Sequence, residues 1–134
     1  MSKVEFTVPG DPVPWARARR SGNRYFNPST MTAYQNKIEA VAIAAGARTL
    51  AGPVGLTICA WWTCPKAWHR KRTPFAGGWK YTKPDADNVA KQFGDALEGL
   101  CYANDSQICK LSVQARWAAQ GDDGRAVVTV YEVD

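Results

Sequence analysis

The chain has little to tie it to a membrane, a disulfide framework or a zinc ribbon. No apolar run approaches the roughly 20 residues that a bilayer-spanning helix needs. Residues 1–5, Met-Ser-Lys-Val-Glu, pass straight into strand-like alternation where a secretory leader would carry an apolar segment. The four cysteines, at 59, 64, 101 and 109, lack the paired C-x-x-C spacing of a zinc site. Cys59 and Cys109 fall in strand-like runs and are expected to be small core residues with free thiols. The single histidine, His69, sits among Trp68, Arg70, Lys71 and Arg72 and reads as a loop contact to phosphate or solvent rather than a base. There is no internal repeat and no low-complexity segment. These absences lead to the expectation of a cytoplasmic protein with no membrane partner and no organic cofactor.

Acid is scarce too, but only in the first part of the chain. Residues 1–83 carry 13 Lys and Arg against three acids, and residues 85–134 carry four against nine. A basic half attracts a polyanion, and an acidic half holds cations against it. Five of the twelve acids fall between Asp85 and Asp105. Clustered carboxylates repel one another, and each resists ionising beside its neighbours. A bound hard cation relieves that repulsion. Magnesium in particular takes one or two carboxylates together with waters and substrate phosphates.

What is present is enough for a single folded domain over residues 1–134, with 46% hydrophobic residues and six Trp. Residues 3–8 alternate as a strand, which Pro9, Gly10, Pro12 and Pro14 end. A basic loop follows, with a possible two-stranded ribbon whose tip is near Ser21-Gly22 and whose return strand holds Tyr25 and Phe26. Ser29 or Thr30 is placed to cap a helix running to about Arg48, with Tyr34, Ile38, Val41 and Ala45 toward the core. Gly52-Pro53 breaks the chain before a buried strand at 54–63. Residues 66–83 form a long loop rich in Lys, Arg, Trp, Gly and Pro. Residues 87–100 read as a helix with Val89, Phe93, Ala96, Leu97 and Leu100 on one stripe and Asp87, Lys91 and Asp95 opposite. Two strands, 107–117 and 125–133, flank the turn Gly121-Asp122-Asp123-Gly124 and are expected to form a hairpin. The pattern predicts an α/β fold: a mixed sheet with two main helices packed on it.

The chemistry concentrates in Lys83-Pro84-Asp85-Ala86-Asp87-Asn88, Lys91, and Asn104-Asp105-Ser106-Gln107. Asp85 and Asp87 straddle a loop-to-helix junction, and Lys91 lies one turn beyond Asp87 on the same face. A lysine there can meet a scissile phosphate or stabilise the charge built up during cleavage. Taken singly, Asp87 reads equally as a helix cap, Lys91 as its partner and Asp105 as a turn residue. Asp95 reads as structural, and Asp122 and Asp123 as turn residues. Arg17, Arg19, Arg20 and Arg24, with Arg70, Lys71, Arg72, Lys80 and Lys83, are candidate phosphate contacts. Trp15, Trp68, Trp79 and Tyr81 are candidates to stack on unpaired bases or to anchor the loops.

The run Lys83-Pro84-Asp85-Ala86-Asp87-Asn88-Val89-Ala90-Lys91, then Asp95-Ala96-Leu97, then Asp105-Ser106-Gln107, resembles the RusA family of Holliday-junction resolvases, common in phages and prophages. Gly10-Asp11-Pro12-Val13-Pro14-Trp15-Ala16-Arg17-Ala18-Arg19 is similar to that family's opening motif. The resemblance implies a homodimeric, magnesium-dependent endonuclease, with manganese a possible substitute, that places paired nicks in branched, four-way DNA. It further implies that Asp85, Asp87 and Asp105 are the essential metal-binding carboxylates and Lys91 the catalytic lysine. The setting it implies is a bacterial or phage-infected cell. Asn104 departs from the family, which often has an aspartate there, and the substitution is expected to weaken metal affinity or alter the rate.

The spacing raises one geometric question. A helix of about 13 residues at 1.5 Å each is roughly 20 Å long, so Asp105 leaves from the end opposite Asp87. Either the chain doubles back, or Asp105 joins the Asp85 and Asp87 of a second copy.

Overall fold

In the computed structural model the described residues are 2–26 and 28–134, and of Arg19 and Phe26 only the backbone. The chain runs β1 (Lys3–Pro9), β2 (Arg19–Ser21), β3 (Arg24–Phe26), α1 (Ser29–Ala44), β4 (Val54–Trp62), β5 (Gly78–Trp79), α2 (Ala86–Leu97), β6 (Ile108–Trp117) and β7 (Arg125–Glu132). Short 3₁₀ turns at Lys66–Trp68 and Asp105–Gln107 complete the order. β1, β7, β4, β6 and β5 form one mixed sheet in that spatial order, and β2–β3 form the separate ribbon. The α/β architecture agrees with expectation. No helix is long and apolar enough to cross a membrane among the described residues.

β4 is the centre of the sheet, hydrogen-bonded along both edges and with one face buried. Val54, Leu56, Ile58, Ala60 and Trp62 point inward at period two. Ala126, Val128 and Val130 of β7 lie in register beside them on the same face. Against this face pack Tyr34 and Ile38 of α1 and Val89, Phe93, Ala96 and Leu97 of α2. The Tyr34 and Phe93 rings meet edge to face, with centroids 5.9 Å apart and planes at 89°, a geometry worth about 1 kcal/mol beyond area burial. Gln92, fully buried between the helices, accepts from Gln35 at 3.0 Å and donates to the Met31 carbonyl at 3.2 Å.

Three expectations are corrected here. β6 and β7 are not a hairpin: β4 lies between them, parallel to β6 and antiparallel to β7. A strand as apolar as β4 needs a hydrogen-bonded neighbour on each edge, and β7 supplies one while also pairing β1. Cys109 is exposed and Cys59 half-buried, whereas Cys64 and Cys101 are buried. Cys109 lies at the start of β6, far from the end at Arg116 and Trp117 where β5 pairs with it. The first helix stops at Ala44 and turns its Met31, Tyr34, Ile38 and Ala42 stripe inward, leaving Ala45 exposed.

Candidate active site

The opening motif forms a strap that crosses from the end of β4 to the start of α2. Asp11 Oδ1 accepts from the Thr63 N–H at 2.9 Å and from its hydroxyl at 2.8 Å. The buried Trp62 indole N–H donates to the Pro12 carbonyl at 3.0 Å. The Trp15 N–H then donates to the Asn88 carbonyl at 3.0 Å, in the first turn of α2. This last bond puts the Trp15 ring beneath Lys91, whose Nζ stands 3.6 Å from the ring centroid. The two motifs, some 75 residues apart in sequence, meet at one point.

α2 begins on Asp85, in extended conformation at φ −72° and ψ 149°. Its carbonyl receives the Asn88 and Val89 amides at 3.1 and 3.2 Å, but its carboxylate makes no capping bond. Asp87, in the first turn, accepts only from its neighbour, the Asn88 N–H, at 3.0 Å. Both carboxylates are exposed, and the positive end of the helix dipole favours negative charge there. Successive helical residues turn by about 100°, so the two acids open on different hollows. Asp87, Lys91, Asp95 and Asp105 line one of about 520 Å³, together with Gly94 and Leu111. Asp85 lines a neighbouring one of about 440 Å³ with Pro14, Lys83 and Asn88, and another of about 500 Å³ with Tyr81, Lys83 and Ala115.

Asp105 reaches the larger hollow because the chain reverses after α2. Leu100 and Cys101 N–H groups bond back to the Leu97 carbonyl at 3.0 and 2.9 Å, and the Gly99 N–H to Tyr102 at 2.7 Å. Gly99 takes φ 88°, a left-handed conformation that glycine adopts without a Cβ clash. The buried Tyr102 hydroxyl donates to the Gly94 carbonyl at 2.6 Å, tying the return to the helix. Gln107 then secures the loop. Its oxygen accepts from Ala103 and Asn104 N–H groups at 2.9 and 3.0 Å, and its amide donates to the Leu50 and Gly52 carbonyls at 3.0 and 2.9 Å. Asn104 caps the 3₁₀ turn, its side-chain oxygen accepting from the Ser106 N–H at 2.9 Å. The departure at Asn104 thus falls on a residue that caps, and the neighbouring Asp105 is left exposed.

Asp95, read from sequence as structural, belongs to the hollow. Burial pushes its carboxyl above the ordinary carboxylate range, Lys91 opposes the shift, and Asp105 adds to it. Its position one turn after Lys91 on the polar face was the available signal. Lys80, expected to meet phosphate, is instead buried, 7% exposed. It follows β5 directly and continues its pairing with β6 through its N–H to the Ala115 carbonyl at 2.9 Å, while Trp79 and Tyr81 on either side are 58% and 94% exposed. Gln107 carried a legible signature of its own, the Asn-x-x-Gln capping box.

Among the remaining basic candidates, Lys83 shares a hollow with Asp85. Arg17, Arg20, Arg24, Arg70, Lys71 and Arg72 are exposed and line none of these hollows. The side chain of Arg19 lies outside the described residues. Trp68 is half committed, packing edge-on against Phe75 and Trp117 at 5.4 and 5.0 Å. Trp79 carries the Arg116 guanidinium on one face at 3.9 Å.

The Asp85, Asp87 and Asp105 carboxylates are oxygen donors of the kind a hard divalent cation takes. No three Asp, Glu, His or Cys converge into a ready cage among the described residues.

A family model described as "Endodeoxyribonuclease RusA" matches residues 9–131. The uncharacterized protein YqaN of Bacillus subtilis (strain 168) is 29% identical over 143 residues, an alignment that covers 99% of each chain.

Proposed function

Because the chain belongs to the RusA family of endodeoxyribonucleases, a family of Holliday-junction-resolving nucleases, we propose that it cuts four-way DNA junctions by paired, symmetric, magnesium-dependent nicks. The observation that carries this reading is the release of three carboxylates from structural roles. Asp85 starts α2 without capping it through its side chain, Asp87 accepts only from its neighbour, and Asn104 caps in place of Asp105. A binding module whose acids merely cap and turn would use them otherwise.

In this reading Asp85, Asp87 and Asp105 would hold a magnesium ion, Asp87 and Asp105 from one hollow and Asp85 from the adjacent one. A bound cation supplies neutralising charge for phosphate oxygens and a more acidic water. Lys91 brings its ammonium to the phosphate and stabilises the charge that develops on cleavage. The Trp15 ring limits where that ammonium can go. Asp95 lies where a carboxyl of raised proton affinity can hold a proton beside Lys91. The exposed arginines of the β2–β3 ribbon and of residues 70–72 track the backbone. Trp79 and Tyr81 offer faces to unpaired bases.

A junction cut at two symmetric positions suits a two-fold dimer, and the protein is proposed to act as a homodimer in the bacterial or phage-infected cytoplasm. Asp87 and Asp105 of one chain lining one hollow supports sites built within each subunit. A mixed dimer of Asp87→Asn and Asp105→Asn chains tests this: within-chain sites leave both damaged, and recovered nicking would assign Asp105 to the other subunit's site. The activity is tested with a synthetic four-way junction, a matched duplex and a flap, each with magnesium or EDTA. Magnesium-dependent cutting of the junction alone is expected. No junction cutting sinks the reading, and equal cutting of the flap broadens the substrate.

A further inference from the structure

A lysine is among the most expensive side chains to bury, because removing an ammonium from water costs several kcal/mol unless it is paired. Lys80 is nevertheless buried, and a carboxylate is not what receives it. Its Nζ donates to the backbone carbonyls of Thr82 and Lys83, at 2.8 and 2.5 Å. It also sits over the Trp62 and Trp117 rings, 4.8 and 5.2 Å from their centroids. These two rings come from neighbouring strands, β4 and β6, paired at that very position. Its own N–H donates to the Ala115 carbonyl at 2.9 Å, so the backbone is held as firmly as the head.

The two carbonyls belong to the residues that lead into Pro84 and Asp85. The side chain therefore reaches forward from the last sheet-bound residue and gathers the loop that delivers Asp85 to its hollow, which Lys80 also lines. Burial lowers the proton affinity of Lys80, while the field of Asp85 raises it, so the ammonium and the carboxylate sense each other across this loop. An apolar side chain of the same length would fill the space between the two indoles. It would leave both carbonyls to water and free the backbone just before Asp85.

We propose that Lys80 is a positioning residue for the cleavage reaction: its buried ammonium sets the path of residues 82–85 and so holds the Asp85 carboxylate ready for the metal, without touching DNA. This rests on the metal-dependent reading above. Side chains that orient metal ligands from behind typically change metal affinity by about 10–100-fold when removed.

The test uses the full-length protein and magnesium itself, followed by calorimetric titration without DNA and by the magnesium dependence of junction cleavage. Lys80→Met is expected to raise the magnesium midpoint by about tenfold or more, with four-way junction binding in EDTA unchanged. Lys80→Arg, which keeps charge and donors, should recover most of that loss. Should the Met variant fail to fold, Lys80→Gln serves in its place, with the same rise expected. A Met or Gln variant that folds and keeps the wild-type magnesium midpoint overturns the proposal and leaves Lys80 a packing residue. An Arg variant shifted as far as Met also overturns it, since the charge would then not matter. If the wild-type protein itself takes up no magnesium, the metal-dependent reading fails first, and this proposal with it.

Discussion

Lys91 Nζ stands 3.6 Å from the centroid of the Trp15 ring, which joins the opening motif to the acidic motif through a cation–π contact. Such contacts are worth about 0.5–2 kcal/mol, depending on how far the pair is desolvated. Trp15 is half-buried and Lys91 exposed, so the contact serves placement more than stability. The ring is fixed by its own backbone bond to Asn88, and the ammonium is thereby held beside the hollow before any phosphate arrives.

Replacing Trp15 with Leu is expected to lower the cleavage rate of a four-way junction by about tenfold, in line with a contact of ~1 kcal/mol or slightly more. Junction affinity in EDTA should stay near wild type. Lys91→Met should cost more, about 10²–10³ in rate, as loss of a charge-stabilising donor does. Single-turnover cleavage alongside gel-shift binding checks both; equal rates for the Leu variant and wild type would detach Trp15 from the chemistry.

Asp85→Asn, Asp87→Asn and Asp105→Asn are each expected to abolish magnesium-dependent cutting while preserving junction binding. These carboxylates make no structural bond that the amides would break, beyond the Asn88 N–H on Asp87. Binding that disappears together with cutting would mark the residues as structural.

Asn104→Asp should leave stability and cleavage close to wild type, because either side-chain oxygen can accept the Ser106 N–H. Asn104→Ala removes the cap, at about 1 kcal/mol, and loosens the turn that carries Asp105. Thermal unfolding of the two variants separates capping from ligation. A large gain in magnesium affinity for the Asp variant would instead show that position 104 faces the metal.

Asp95→Asn is expected to raise the melting temperature in EDTA at neutral pH. The folded protein holds the Asp95 proton more tightly than the unfolded chain does, so ionised Asp95 is a cost at neutral pH. Stability falls as pH rises from the ordinary carboxylate value through the raised folded one. The Asn advantage should therefore shrink as pH is lowered through that window and vanish below it. Melting curves at a series of pH values read this directly, and a pH-independent difference would contradict it.

Changing Arg17, Arg20 and Arg24 to Gln should weaken junction binding and flatten its salt dependence. Every phosphate that the protein ceases to neutralise makes the slope of log K against log salt shallower by about 0.9. An unchanged slope would take the ribbon and the segment leading into it out of the DNA interface.

Much of the fold could be read in advance, because local periodicity carries it. Alternation marks β1 and β6, an apolar β-rich run marks β4, the turn at 121–124 marks the start of β7, and the apolar stripe of α2 has Val89, Phe93, Ala96 and Leu97 buried as expected. Strand pairing was different. A turn between two strands invites a hairpin, yet β7 left β6 for the far side of β4. That choice depends on which partner covers β4's second edge, and no local pattern records it. For the site, the motifs single out Asp85, Asp87, Lys91 and Asp105; Asp95, which reads as structural, lines the same hollow as Asp87, and Lys80, a candidate phosphate contact, is buried.

The residue types at the site, their order, and the helix face that carries Asp87, Lys91 and Asp95 are all legible along the chain. These follow from side-chain chemistry and a period of 3.6, which depend only on near neighbours in the chain. Tertiary structure alone decided that the reversal at Gly99 returns Asp105 to that face, that Trp15 reaches Lys91, and that Lys80 turns inward to the Asp85 loop. Each of these meetings joins different structural segments, and its energy exists only once the sheet and helices have packed.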